Sequence, residues 1–307
     1  MNKIVILENN GGRLANQLWQ FANIYAYCLE KNYKIENYNF FMYQEYFNIP
    51  TPRNKFVNCA FFKFFNFHRS KKLAKSSYAV FCRIVKILFK KRVRDSKEII
   101  FLPPSSNKLT ADCIKDIETA KNKTFYFCDW NFWNPVGLKK YYPEIVKFFR
   151  PNDEISNKVD SFIGELRQKH KYLVGVHARQ GDYKTFAGGK YYFSFPDVRL
   201  ILDDFLASQP NKADIVFVIC SDGAIDKEAL QGLNYVAGPG DFMSDLYSLA
   251  KTDLMINSTS TFSQWASYYG QISSIDFSRE KIDWPRDILS PEFPRKLTEW
   301  EVVNGNN

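Results

Sequence analysis

No Cys-x-x-Cys pair occurs in the sequence, and no cysteine stands at metal-ligand spacing from a histidine. The six cysteines, Cys28, Cys59, Cys82, Cys113, Cys128 and Cys220, are scattered through 307 residues. A chain of this length builds its core without a disulfide framework, so reduced thiols and a cytosolic setting are expected. No cluster of Asp and His is visible, and no metal is expected. Long apolar runs are missing too: nothing approaches the roughly 20 apolar residues of a membrane span. The N-terminal MNKIVILE is too short for a signal peptide, because Glu8-Asn9-Asn10 interrupt it at once. Neither a GxGxxG fingerprint nor a motif of RNA or DNA binding is present, so nucleic acid is not expected as a partner.

What is present belongs to a folded protein: 45% hydrophobic and 24% charged residues, with aromatics high at 17%. The net charge of +9 is uneven. Residues 53–97 hold 14 Lys/Arg and one acid, whereas the remainder holds 28 Lys/Arg against 32 acids. Within that segment Leu73, Val80, Phe81, Ile84, Ile87 and Leu88 fall on one helical face, with Lys72, Lys75, Arg83, Lys86 and Lys90 elsewhere. Two readings stand: a helix on the N-terminal domain with a solvated basic face, or peripheral contact with an anionic membrane surface.

The central stretch is Tyr172 to Tyr183, YLVGVHARQGDY. A run of β-formers ends in His177, Arg179 and Asp182, which reads as a buried strand feeding a loop. Ligands of open α/β sheets bind beyond the carboxyl ends of strands, and a forked guanidinium suits phosphate. The bland alternative is a surface Arg–Asp pair. Near the N-terminus, a strand at Lys3–Leu7, the Gly11-Gly12 break and a helix follow in order. That helix carries an apolar stripe of Leu14, Leu18, Phe21, Ala22, Tyr25 and Leu29. Further along, Lys123–Cys128 is a strand that runs into Trp130 and Trp133, read as sugar-stacking or as core residues. Pro151, Asn152 and Asp153 punctuate two helices and mark the interdomain link. Asp214–Cys220 is a second buried strand. It ends at Asp222, a donor contact or a helix cap. Asp241–Ala250 is a helix, and Ser258 to Trp265 opens another, with hydroxyls and free amides suited to a diphosphate or to plain capping.

Four of these motifs resemble the α-1,2-fucosyltransferases, glycosyltransferase family 11, within the α-1,2/α-1,6/protein O-fucosyltransferase superfamily. His177-Ala178-Arg179-Gln180-Gly181-Asp182-Tyr183 is similar to its His-x-Arg signature. Gly12-Arg13-Leu14-Ala15-Asn16-Gln17 resembles its opening loop. Ser221-Asp222 resembles a strand end, and Asp245 with Ser260-Thr261-Phe262 resembles the last motif. The sequence departs at Ala15, at Thr259 in place of Asn, and at Gln180, where many relatives have a second Arg.

The resemblance implies an α/β, GT-B-like fold of two Rossmann-like domains facing a cleft. Residues 1–150 would form an acceptor-side domain that carries the basic segment, and residues 151–277 a GDP-sugar domain. Residues 278–307 would be a tail returning to the first domain. It implies inverting, metal-independent transfer of fucose from GDP-fucose to a glycan hydroxyl, α-1,2 to a galactoside in bacterial surface polysaccharide synthesis. The catalytic candidates are Arg179, Asp182 and Asn16. Donor candidates are His177, Arg179, Asp222, Asp245, Ser260, Thr261, Phe262, Gly12 and Arg13, and acceptor candidates are Trp130 and Trp133. Beyond GDP-fucose no cofactor is implied; the acceptor glycan would be lipid-linked at the inner membrane if residues 53–97 touch lipid. Competing readings are a degenerate module that binds GDP-sugar or glycan, and a GT-B transferase with another nucleotide sugar.

Overall fold

The computed structural model describes residues 1–7, 12–49, 73, 76–84, 87, 99–102, 117–119, 121–127 and 132–290. The chain divides into two compact units, Met1–Asn152 and Asp153–Asn307.

The first unit carries a parallel sheet ordered β2-β1-β4-β3, from β1 (Lys3–Ile6), β2 (Lys34–Asn37), β3 (Ile99–Leu102) and β4 (Thr124–Phe127). Helix α1 (Leu14–Lys31) follows β1. The expected single stripe on α1 is too narrow. Nearly its whole circumference is buried, including the polar Gln17, Gln20 and Asn23, and Leu29 is only half-buried. The cause is that α1 packs between β2 and two later helices, α2 (Pro135–Lys140) and α3 (Tyr142–Phe148). Phe21 sits at the centre of an aromatic knot, with edge-on contacts to Phe40 at 5.6 Å, Phe148 at 5.3 Å and Phe149 at 5.2 Å. Each such pair contributes about 0.5–1.5 kcal/mol beyond its burial, which gives the high aromatic content a use.

In the basic segment, residues 76–84 are helical. Its buried side differs from the face read from the sequence. Tyr78 and Cys82, four apart, turn inward, and the Tyr78 hydroxyl donates to the Leu7 carbonyl at the end of β1. Val80 and Ile84 instead face solvent, 54% and 50% exposed, and Ile87 is 68% exposed.

The second unit has a five-stranded parallel sheet ordered β7-β6-β5-β8-β9. Its strands are β5 (Tyr172–Ala178), β6 (Ile215–Ser221), β7 (Tyr235–Ala237), β8 (Leu254–Asn257) and β9 (Ser273–Asp276). Helices α4 (Asp153–Arg167), α5 (Phe195–Ser208), α6 (Phe242–Leu249) and α7 (Thr261–Gly270) surround it. Val174, Val176, Phe217, Ile219, Leu254 and Ile256 alternate onto one face and are fully buried with Val198, Leu202 and Phe205 of α5. On the other face Gly175 admits α6 closely: a Cβ there would lie 2.9 Å from the Leu249 side chain and 2.8 Å from Thr252 Oγ1. Residues 278–290 pack on this unit as well. Trp284 meets Phe205 edge-on at 5.1 Å and its indole N–H donates to Asp204. The rest of the expected tail, 291–307, lies outside the described residues.

Candidate functional site

Strand order places the site. The chain moves outward from β5 through β6 to β7 on one side, then returns to β8 and β9 on the other. The connections therefore part between β5 and β8, and at such a switch point the loops diverge and leave a crevice at the carboxyl ends. Two hydrogen bonds join the strand ends there. Ser258 N donates to the His177 carbonyl at 2.9 Å, and Arg179 N donates to Ser258 Oγ at 3.0 Å.

Arg179 stands at this point with its side chain mostly buried. Its guanidinium donates to both carboxylate oxygens of Asp182, at 3.0–3.2 Å, and its Nε lies 3.6 Å from Asp222 Oδ2. Tyr183 supplies a ring 4.9 Å from the guanidinium carbon. The residues after β6 form turns rather than a helix, so Asp222 has no helix to cap. Its Oδ1 instead accepts from the amides of Gln180 at 2.7 Å and Gly181 at 2.9 Å. Burial raises the Asp222 carboxyl, but these amides and the Arg179 charge outweigh it and leave the pKa below its ordinary value.

His177 is buried beneath the ring of Phe262, centroids 4.8 Å apart. Burial, and then the Arg179 charge, push its pKa down to about 4, so the imidazole is neutral near pH 7. Its Nδ1 lies 2.7 Å from Ser263 Oγ, whose own proton goes to the Ser258 carbonyl at 3.2 Å.

Ser260 caps α7 by accepting from Phe262 N at 3.1 Å, and Thr261 is the first helical residue. The start of α7 is thus tied to the backbone of Arg179 through Ser258. Asp245, on α6, is buried and accepts from Gly240 N at 3.0 Å. Burial pushes its carboxyl up to about 6 against the pull of that amide. It packs by Cys220, which is the register partner of His177.

The second unit therefore brings together Arg179, Asp182 and Asp222 in one ion-pair group, and His177 with Ser260, Thr261 and Phe262 in another. Gly12, Arg13, Asn16 and Trp133 belong to the first unit, and Trp130 lies outside the described residues. Arg13 is exposed at the N-terminus of α1, the Gly12 carbonyl accepts from Gln17 at 3.2 Å, and Asn16 and Trp133 are half-buried. Ala15 is an ordinary residue of the first turn of α1 and is not among the residues with positive φ, so its departure carries no strain.

Gln180 turns away from the guanidinium: it is buried, and its amide donates to the Phe193 carbonyl at 2.8 Å. Thr259 Oγ1 donates to Asp276 Oδ2 at 2.7 Å, beside an Asn257–Asp276 bond of the same length. Sequence reasoning missed the roles of Ser258 and Ser263. The only trace was their place in a hydroxyl-rich helix start.

The family model for glycosyl transferase family 11 matches residues 106–301. No curated protein matches the chain. Among solved structures, the fucosyltransferase NodZ from Bradyrhizobium is similar with a TM-score of 0.56 and 17% identity, over 93% of this chain and 100% of that one. NodZ α-1,6-fucosyltransferase soaked with GDP-fucose gives 0.53 and 16%, over 93% and 100%. A mutant of Arabidopsis thaliana FUT1 in complex with GDP gives 0.54 and 11%, over 93% of this chain and 72% of that one. These likenesses establish the fold as α/β and GT-B-like.

Proposed function

Because the chain belongs to glycosyl transferase family 11, we propose that it moves fucose from GDP-fucose to a hydroxyl of a glycan. The observation that carries this reading is Arg179 at the β5/β8 switch point, tied through Ser258 to the start of α7. The solved relative soaked with GDP-fucose supports that donor.

The chemistry follows from the charges. The acceptor oxygen forms a bond to the anomeric carbon as the bond from that carbon to the β-phosphate oxygen breaks through an oxocarbenium-like state. The electron pair leaves with GDP. In this reading Arg179 and the amide end of α7 stabilise that developing charge. Asp182 takes the acceptor proton; before the donor binds it is paired with Arg179. A diphosphate binding there competes with Asp182 and Asp222 for the guanidinium, which loosens Asp182 as the donor arrives. His177, Phe262 and Asp245 line the side where the base would lie.

The finer reading is inverting α-1,2 transfer to a galactoside, supported by the motif at residues 177–183 and by the family. Peripheral membrane contact is supported by the exposed Val80, Ile84 and Ile87 within the basic segment, and use in surface polysaccharide synthesis is proposed with it. Among the described residues no helix is long and apolar enough to cross a membrane.

The deciding experiment is GDP release from GDP-fucose in EDTA, with and without a β-galactoside panel. Acceptor-dependent release is expected. Absence of any GDP binding would overturn the donor assignment. For the membrane contact, flotation with anionic vesicles is expected to carry the wild type but not a Val80→Ser/Ile84→Ser variant.

A further inference from the structure

The loop after Arg179 exposes aromatic surface that the fold does not need. Tyr183 and Phe186 stack with centroids 5.6 Å apart and planes 20° apart, and Tyr191 closes the group at 6.3 and 6.1 Å. Phe186 leaves 55% of its surface in solvent. A ring held in water adds little to stability, and exposed apolar groups of this kind mark binding surfaces.

The group is nevertheless held firmly. Tyr183 is fixed between the Arg179 guanidinium and the Thr259 carbonyl, to which its hydroxyl donates at 2.8 Å. After Phe186 the backbone runs through left-handed Ala187 (φ 50°), Gly188 (φ 67°) and Gly189 (φ 80°). Alanine is disfavoured there, and strain of this kind gathers at functional sites. Arg279 then clips the return of the loop, donating to the carbonyls of Lys190 at 3.1 Å and Tyr192 at 2.9 Å.

We propose that Phe186, backed by Tyr183 and Tyr191, forms the platform on which a pyranose ring of the acceptor glycan stacks. The inference rests on the transfer reading above. Position selects the occupant. The attacking hydroxyl must reach Asp182, the neighbour of Tyr183, while the leaving diphosphate lies on Arg179. The ring that bears the hydroxyl then falls on the aromatic group. A pyranose presents C–H groups on one face, and these pack on the electron-rich face of an aromatic ring. The hydroxyls on its edge stay in water.

Phe186 is exposed, so its replacement leaves the fold intact. Wild type, Phe186→Ala and Phe186→Trp are applied, with GDP present, to an immobilised panel of β-galactosides, β-glucosides and N-acetylhexosaminides. GDP affinity is measured separately by calorimetry. Wild type and the Trp variant are expected to retain at least one pyranoside. The Ala variant is expected to bind it about tenfold more weakly at unchanged GDP affinity. Three results would overturn the proposal: equal retention by wild type and Ala, no pyranoside retained by wild type, or GDP affinity lost in Phe186→Ala, which would give the platform to the nucleobase. Wild type that holds a pyranoside through Phe186 but binds no GDP would support the platform and overturn the donor reading instead.

Discussion

Asp222 grips both ends of one loop segment: its Oδ2 lies 3.6 Å from Arg179 Nε, and its Oδ1 accepts the amides of the next two residues, Gln180 and Gly181. The cation's position is thus set by a residue 43 places further along, at the end of the neighbouring strand.

Arg179→Ala is expected to lower turnover by about 100- to 1,000-fold, the scale of removing one preorganised donor from a charged transition state. Arg179→Lys keeps the charge and loses the fork, so it should recover only part of the loss. Steady-state kinetics with GDP-fucose checks both, and full activity in the Ala variant would remove Arg179 from the chemistry.

Asp222→Ala leaves two loop amides without their acceptor. A loss of about 1–3 kcal/mol is expected, read as a fall in denaturation midpoint. Asp222→Asn keeps an acceptor oxygen and should cost less. Equal stability of all three proteins would show that the loop holds itself.

Gln180→Arg introduces a second arginine into this loop, yet no gain in turnover is expected. The site of this side chain is buried under the Phe193 carbonyl, and a guanidinium placed there is desolvated. Thermal melting should fall. A variant that is both stable and faster would show that the arginine swings toward the phosphates.

The dependence of stability on pH should divide between His177 and Asp245. His177 has a folded pKa of about 4 against an ordinary 6.5. Between these values the unfolded chain binds more protons, so this contribution is full above 6.5 and is lost as pH falls toward 4. Asp245 behaves in the opposite sense: its folded pKa is about 6 against 3.8. Its contribution is full below 3.8 and is lost as pH rises toward 6. The two slopes offset each other in the wild type. Asp245→Asn removes one, so its melting temperature should fall more steeply on acidification below pH 6.5. Parallel curves from calorimetric scans would contradict this.

Much of the second unit was legible because its strands are short apolar runs that end in polar punctuation. Tyr172 to Val176 announced β5, and Asp214 to Cys220 announced β6. The helix starts were legible through their caps: Asp241 caps α6 and Ser260 caps α7. Periodicity misled at α1, because a helix enclosed on several sides buries amides as well as leucines. At residues 76–84 it found an apolar face but not the buried one: Val80 and Ile84 stay exposed, while Tyr78 and Cys82 turn inward and the Tyr78 hydroxyl meets the Leu7 carbonyl. The serines of the site were illegible for a different reason. Ser258 and Ser263 act on residues 79 and 86 positions away, and no local pattern records such a partner. The Tyr183–Phe186 stack depends on where the loop turns, and a left-handed alanine is not announced by its neighbours.

The link from Arg179 to Ser258 also bears on how the chain is made. In the sequence, β6 and β7, which lie on the far side of β5, come between β5 and its other neighbour β8. Contacts between residues so distant in sequence close late and slowly, because the intervening chain must first lose its freedom. On a growing chain, Arg179 emerges long before the serine that receives its amide. A nascent protein halted ahead of β8 holds the guanidinium and both of its carboxylate partners, but not the strand end that fixes them.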